Sequence, residues 1–280
     1  MVNAARVVEP HSDQTRFLTR PNKGIHAMKL SGNTIFITGA TSGIGRGLAE
    51  AFHKKGNKVI IGGRRKALLD EVTKVNPGMD SVEIDVTNPA QIASAAEHLI
   101  RTYPSLNVVI NNAGIMPFDD VTGPLDDSQA VHLVNTNLLG PVRISGAFIE
   151  HLKKQPEAFV INNSSVVAYV PMAMSALYSA TKAAIHSYSL SQRFALRDTS
   201  VRVLEIVPPW VDTDLVYKSG DPRAMQLEPF IAEAFALLEH ATTEVVVESA
   251  QQLRNSAGRE EHGIVDYFNQ MLIDEPLPMP

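Results

Sequence analysis

From Asn33 onward the chain alternates short β-branched apolar runs with longer stretches whose apolar residues recur every three or four positions. The runs are TIFIT (34–38), KVIIG (58–62), SVEID (81–85), NVVIN (107–111), AFVINN (158–163) and VRVLEIV (201–207), with a seventh at EVVV (244–247). Between them lie GIGRGLAEAFHKKG, RRKALLDEVTKV, PAQIASAAEHLIRTY, the long stretch 125–154 and the stretch 176–198, each spaced for one helix face. The runs are nearly continuous in Val and Ile rather than alternating, as expected of strands covered on both faces. Right-handed crossovers then predict a doubly wound parallel α/β sheet with helices on both faces, in a single domain. No repeat, low-complexity tract or Gly/Ser linker divides it.

Residues 1–27 break this pattern. They mix Arg6, Arg16, Arg20 and Lys23 with Glu9 and Asp13, without period and without the apolar stretch of a secretory signal. The expectation is a flexible N-terminal extension, or residues ahead of a start at Met28, followed by one domain over 28–280.

Composition narrows the function classes. At 44% hydrophobic and 20% charged, 280 residues can bury a sizeable core. A net charge of −5 argues against nucleic acid or an anionic membrane as a partner. No apolar run approaches the ~20 residues that span a bilayer. Cysteine is absent, which removes disulfides, zinc–thiolate sites and a thiol nucleophile, and is compatible with a cytoplasmic protein. The nine histidines show no metal-ligand spacing and read as surface or ordinary helix residues.

Candidate chemistry begins where the first strand runs into TGATSGIG, Thr38 to Gly45. A strand, a Gly-rich turn and a helix N-terminus bring backbone N–H groups and a positive helix end to one point, which suits a pyrophosphate. The other reading is a tight turn with no ligand. The spacing of Gly39, Gly43 and Gly45 is G-x-x-x-G-x-G, neither the dinucleotide fingerprint G-x-G-x-x-G nor a P-loop. Further on, YSATK (178–182) places a tyrosine and a lysine one helical turn apart; of six tyrosines only Tyr178 has Lys four residues on.

TGATSGIG, NNAG (111–114) and YSATK, in that order on this scaffold, resemble the short-chain dehydrogenase/reductase family in its compact form, over about residues 30–250. The resemblance implies a Rossmann-type fold and an oxidoreductase that interconverts a carbonyl and an alcohol with a nicotinamide cofactor. It implies a catalytic set of Asn137 (opening NLLG), Ser165 (178 − 13, the family's spacing), Tyr178 as general acid/base and Lys182. Lys182 would also hold the nicotinamide ribose, and Asn137 would anchor a proton-relaying water. It implies cofactor contacts at Gly39, Thr41, Ser42, Gly43, Ile44 and Gly45 of the turn, at Asp85 and Val86, and at Asn112, Ala113 and Gly114. Val211 and Thr213 match the positions that contact the carboxamide, although VPPWVDT carries Pro209 where the family has Gly. That doubled proline, with KKQPEA and LRDTSVRVLE, is similar to the DltE-like subgroup. An alternative from another class is a non-catalytic, NADP(H)-binding regulatory protein, which need not keep all four catalytic positions. The helices at 137–154 and 175–198 resemble those that build family homodimers and homotetramers.

Three further expectations follow from side-chain chemistry. A phenol titrates near 10, so Lys182 and an oxidised nicotinamide would have to lower Tyr178 by ~3 units, about 4 kcal/mol, for efficient proton exchange at neutral pH. The second strand ends KVIIGGRR, with Gly63 where an NAD site would carry an acid and Arg64 and Arg65 beyond it; this favours NADP(H) over NAD(H). Tyr169, Met172, Met174, Trp210, Leu215, Val216 and Tyr217 lie in segments flanking the family's substrate cleft, as an apolar pocket or as plain packing.

Overall fold

The computed structural model describes residues 27–258 and 261–277, so the extension expected at 1–27 lies, but for Ala27, outside the described residues. Seven strands form one sheet: β1 Thr34–Thr38, β2 Lys58–Gly63, β3 Asp80–Glu83, β4 Leu106–Asn111, β5 Ala158–Asn163, β6 Val201–Val207 and β7 Glu244–Val246. Every pairing is parallel and the order is β3-β2-β1-β4-β5-β6-β7. The helices are α1 Gly43–Lys54, α2 Lys66–Val75, α3 Pro89–Thr102, α4 Asp127–Val134, α5 Gly140–Leu152, α6 Ala176–Ala195, α7 Leu227–Leu238, α8 Glu248–Arg254 and α9 Glu261–Asp274.

The strand runs are apolar on both faces because both faces are covered. On one side Leu48 and Phe52 of α1, Leu69 of α2 and Phe230 of α7 close over β1 and β2. On the other, Ile92 of α3 and Ile144 and Phe148 of α5 pack on β1 and β4, with the Phe36 and Phe148 rings 5.5 Å apart. Each such side chain, fully buried, contributes about 1.5–3 kcal/mol. Chain order reverses where β1 lies between β2 and β4, and there the carboxyl ends of the strands open a crevice.

The stretch 125–154 is not one regular helix. Asp126 caps α4 by accepting from the Gln129 N–H at 3.1 Å, and a π-turn over Asn135–Leu139 then separates α4 from α5. The sequence supplies a reason. Pro141 has no N–H to return to the carbonyl of Asn137, four residues earlier, so the regular ladder cannot run through. Three helices, α7, α8 and α9, form no part of the pattern read from the sequence.

Candidate functional site

The crevice is a cleft of about 1310 Å³. The glycine turn forms one end. Gly39 has φ +66°, and a Cβ there would lie 2.6 Å from the Ala113 Cα; a Cβ on Gly45 would lie 2.3 Å from the Asn112 amide nitrogen. These two glycines let the turn pack on NNAG, and Gly45 does not line the cleft. Thr41, Ser42, Gly43 and Ile44 do line it. Ser42 occupies the N-cap position of α1 without a side-chain cap bond, and no acid stands in the first turn. The first N–H groups of α1 therefore have no side-chain acceptor there, which fits an anion.

Basic charge reaches this end from β2. Arg65 donates from Nη2 to Thr41 Oγ1 at 2.8 Å and to Ser42 Oγ at 3.3 Å. Arg64 lines the cleft nearer Asp85. Burial acts to raise the Asp85 pKa, but two 2.8 Å hydrogen bonds from Thr87 and the charge of Arg64 outweigh it, and the carboxyl is held below its ordinary value. Asn88, not Asp85, caps α3. The glycine turn, the two arginines, Asp85 and Val86 line one end of the cleft and together fit a dinucleotide. Asn111 and Asn112 stitch strands: Asn111 donates to Asn162 Oδ1 at 2.8 Å, and Asn112 donates to the Thr38 and Gly39 carbonyls. Ala113 and Gly114 line the cleft beside them, and Val211 and Thr213 line it from beyond β6.

Ser165 follows β5, and Tyr178 and Lys182 stand in the first two turns of α6; all three line the same cleft. The Lys182 ammonium is 5.5 Å from the centre of the Tyr178 ring and donates to the Asn163 carbonyl at 2.8 Å. Burial pulls the Lys182 pKa down to about 8, and the carboxylate of Glu205 acts against that. The downward shift expected for Tyr178 is not what the chain's own groups produce. Burial pushes the phenol up, and the facing Ser165 hydroxyl offsets this only in part. Desolvating a phenolate outweighs one hydroxyl donor, and the neighbouring Lys182 ammonium is directed to the Asn163 carbonyl.

Asn137 does not line the cleft; its side chain is fully used behind it. Oδ1 accepts from Ile115 N at 2.9 Å, while Nδ2 donates to Ile115 O at 2.8 Å and to Thr181 Oγ1 at 3.4 Å. Of the expected substrate residues, Met172, Trp210, Leu215 and Val216 line the cleft, whereas Tyr169, Met174 and Tyr217 do not. Tyr169 is instead hydrogen-bonded to His186 Nδ1 at 2.9 Å, and His186 in turn to the wholly buried Glu205 at 3.0 Å. His186 is thus no ordinary helix residue. His186, Glu205 and Glu244 bring ligand atoms within 4.8 Å of one another, a grouping that linear spacing conceals; Glu244 is paired with Arg254 at 2.8 Å.

Sequence reasoning also missed Asp119. Its two carboxylate oxygens accept from the N–H groups of Ala176 (2.9 Å) and Leu177 (2.8 Å), the first turn of α6. Ser175 Oγ donates to the Pro117 carbonyl at 2.7 Å in the same seam. The loop after NNAG thereby fixes the helix that carries Tyr178. The sequence signal is only the acid pair in PFDD, too far along the chain from α6 to suggest a cap. We expect Asp119→Ala to destabilise the fold by about 1–2 kcal/mol, the worth of an N-terminal cap, and to lower kcat more than it raises KM. Thermal melts and steady-state kinetics check both; an unchanged melt would remove Asp119 as a cap.

A family model for short chain dehydrogenase matches residues 33–224. The chain is 36% identical over 251 residues to the uncharacterized oxidoreductase DltE of Bacillus subtilis (strain 168), covering 86% of this chain and 98% of that relative. It superposes on a short chain dehydrogenase from Burkholderia cenocepacia J2315 in complex with NADP, with TM-score 0.71, 28% identity and coverage of 90% of this chain and 100% of the other. It also superposes on the 3-ketoacyl-(acyl-carrier-protein) reductase of Brucella melitensis complexed with NADH, with TM-score 0.71, 25% identity and coverage of 78% and 97%.

Proposed function

The chain belongs to the short-chain dehydrogenase family, DltE-like in kind, and from that premise we propose that it is an NADP(H)-dependent oxidoreductase interconverting a carbonyl and an alcohol. The observation that carries the reading is the convergence of Ser165, Tyr178 and Lys182 on one cleft whose other end holds the glycine turn under Arg65. Gly39, Thr41, Ser42, Gly43 and Ile44 would take the pyrophosphate side, with Arg64 and Arg65 at the extra phosphate and Asp85 and Val86 along the adenine end. Asn112 to Gly114 would lie beside the adenosine ribose, and Lys182, Val211 and Thr213 would take the nicotinamide side. A bound nicotinamide supplies or accepts the hydride.

The protein's part is positioning and proton transfer. Ser165 hydrogen-bonds the substrate oxygen and orients it. Tyr178, held protonated by burial, is the acid that donates its proton to that oxygen during reduction. Lys182, on the same helix face, places a positive charge beside the phenolate left behind. The Asn137 side chain is committed to Ile115 and Thr181, so a relay water would be held by its backbone carbonyl, which receives no N–H from Pro141.

Supplying aldehydes, ketones and alcohols with each nicotinamide cofactor, and following absorbance of the reduced form, tests the reading. No turnover across such a panel would remove it. For cofactor choice we expect wild type to prefer NADPH, and Gly63→Asp/Arg64→Leu to shift the preference toward NADH by roughly 10–100-fold, since hydrogen bonds to charged groups are worth ~1.5–3 kcal/mol. A Cβ at position 63 would sit 3.0 Å from Thr41 Cγ2, so the aspartate needs only a small adjustment of that side chain. Arg65→Leu should weaken NADPH binding on its own, because Arg65 is the group lying over the turn. A wild type that prefers NADH would overturn the assignment. We also propose self-association through α5 and α6, where Leu190 and Phe194 of α6 are exposed apolar side chains.

A further inference from the structure

The end of the cleft away from the glycine turn is roofed by a segment from the far C-terminal part of the chain. Phe268, Met271 and Leu272 of α9, and Leu277 beyond it, line the cleft opposite Met172 and Trp210. Helix α9 has no fully buried residue, so the main core does not hold it by burial alone. It is pinned instead to both rims. On one rim the Asn269 side chain accepts from Ala173 N at 2.5 Å and donates to the Pro171 carbonyl at 3.0 Å, on the loop between Ser165 and Tyr178. On the other rim Arg223 donates to the carbonyls of Glu275 and Pro276 at 2.6 and 3.0 Å.

The charge at this end matters as much as its shape. Among the described residues lining it, the one basic side chain is Arg223, and that guanidinium is engaged by Asp221 at 2.7 Å as well as by the two carbonyls. The remaining charged groups there, Glu233 and Glu248, are acids. A substrate carboxylate or phosphate would therefore meet no uncommitted cation and two anions, an unfavourable exchange for its hydration. A hydrocarbon substituent would meet thioether, indole, phenyl and isobutyl side chains.

We propose that α9 and the segment to Leu277 form the wall of a substrate subsite for carbonyl compounds bearing an uncharged hydrocarbon substituent. This specificity rests on the oxidoreductase reading above. The apolar site itself does not, which allows the two to be tested apart. Trp210 is the chain's single tryptophan and stands in the wall, so its fluorescence reports occupancy without turnover.

The experiment uses the full chain, its Met271→Ser variant and its Leu272→Ser variant. Met271 is 38% exposed, so a polar residue there leaves the core undisturbed should Leu272→Ser fold poorly. Reduction of propanal, pentanal, heptanal and nonanal is measured with NADPH, and titration with 1-decanol is followed by Trp210 emission without cofactor. Wild type should gain roughly threefold to fourfold in kcat/KM per methylene, at ~0.8 kcal/mol per buried CH₂, until the pocket is filled. The nonanal-to-propanal ratio should fall at least tenfold in the variants, and decanol binding should weaken alongside it. A flat series, or preference for a 2-oxo acid over the aldehydes, overturns the proposal. So does a rising series that neither variant alters. Saturable decanol binding, weakened in Met271→Ser but accompanied by no carbonyl reduction, would uphold the apolar subsite and count against the oxidoreductase reading instead.

Discussion

Tyr178→Phe is expected to lower kcat for carbonyl reduction at least about a hundredfold while the dissociation constant for the reduced cofactor changes by less than about threefold. General acid catalysis alone contributes roughly 10²–10⁴, and phenylalanine keeps the ring while deleting the proton. The loss should therefore fall on the chemical step rather than on binding. Tyr178 is 5% exposed and its ring belongs to the core, so the variant should melt close to wild type. The pH profile adds a second check. Burial raises the phenol, so it stays protonated through neutrality, and reduction should not decline on its account near pH 7. A decline beginning near pH 8 is expected from Lys182, whose ammonium is lost as pH rises through about 8. Turnover within a few-fold of wild type in Tyr178→Phe would exclude the tyrosine from the mechanism.

The parts of this architecture that depend on short-range pattern could be read from the chain. All seven strands show as β-branched runs, and the glycine turn as the Gly cluster that follows the first of them, because a strand buried on both faces has little freedom in composition. Tyr178 and Lys182 were legible because one helical turn is a sequence distance. What escaped depends on pairs far apart. Asp119 meets Ala176 and Leu177 across more than fifty residues, and His186 meets Glu205 across two elements. Helix α9 carries apolar residues at 264, 265, 268, 271 and 272, a helix spacing, but Gly263 and the acids at 261, 266 and 274 dilute it. For Tyr178 the downward shift is expected of Lys182 and an oxidised nicotinamide together, and the chain's own groups alone leave the phenol raised by burial. A motif states which charges are neighbours and not how far water is excluded, and at a buried phenol the exclusion is the larger effect.

Lys182→Met should separate stability from activity, abolishing turnover while raising the melting temperature. In the folded protein Lys182 is 6% exposed, with its pKa pulled from 10.5 to about 8 by burial. Such a shift corresponds to about 3 kcal/mol of destabilisation while the group is charged in both folded and unfolded states. Methionine has a similar length and carries no charge to desolvate, and it suits an irregular apolar slot. Loss of the 2.8 Å hydrogen bond from the ammonium to the Asn163 carbonyl returns roughly 2 kcal/mol of the gain. A net increase of about 1 kcal/mol remains, or about 2–4 °C in Tm for a domain of this size. The sign fixes the pH window. Because the folded pKa lies below the unfolded one, the unfolded chain binds more protons between about pH 8 and 10.5, and wild-type stability rises across that interval. The variant lacks this rise, so its advantage should be full below pH 8 and shrink as pH climbs toward 10.5. Thermal melts of both proteins from pH 6 to pH 10 measure it. A variant that melts below wild type throughout would mean that Glu205 and the Asn163 carbonyl already compensate the buried ammonium, and that Lys182 supports the fold as well as the chemistry.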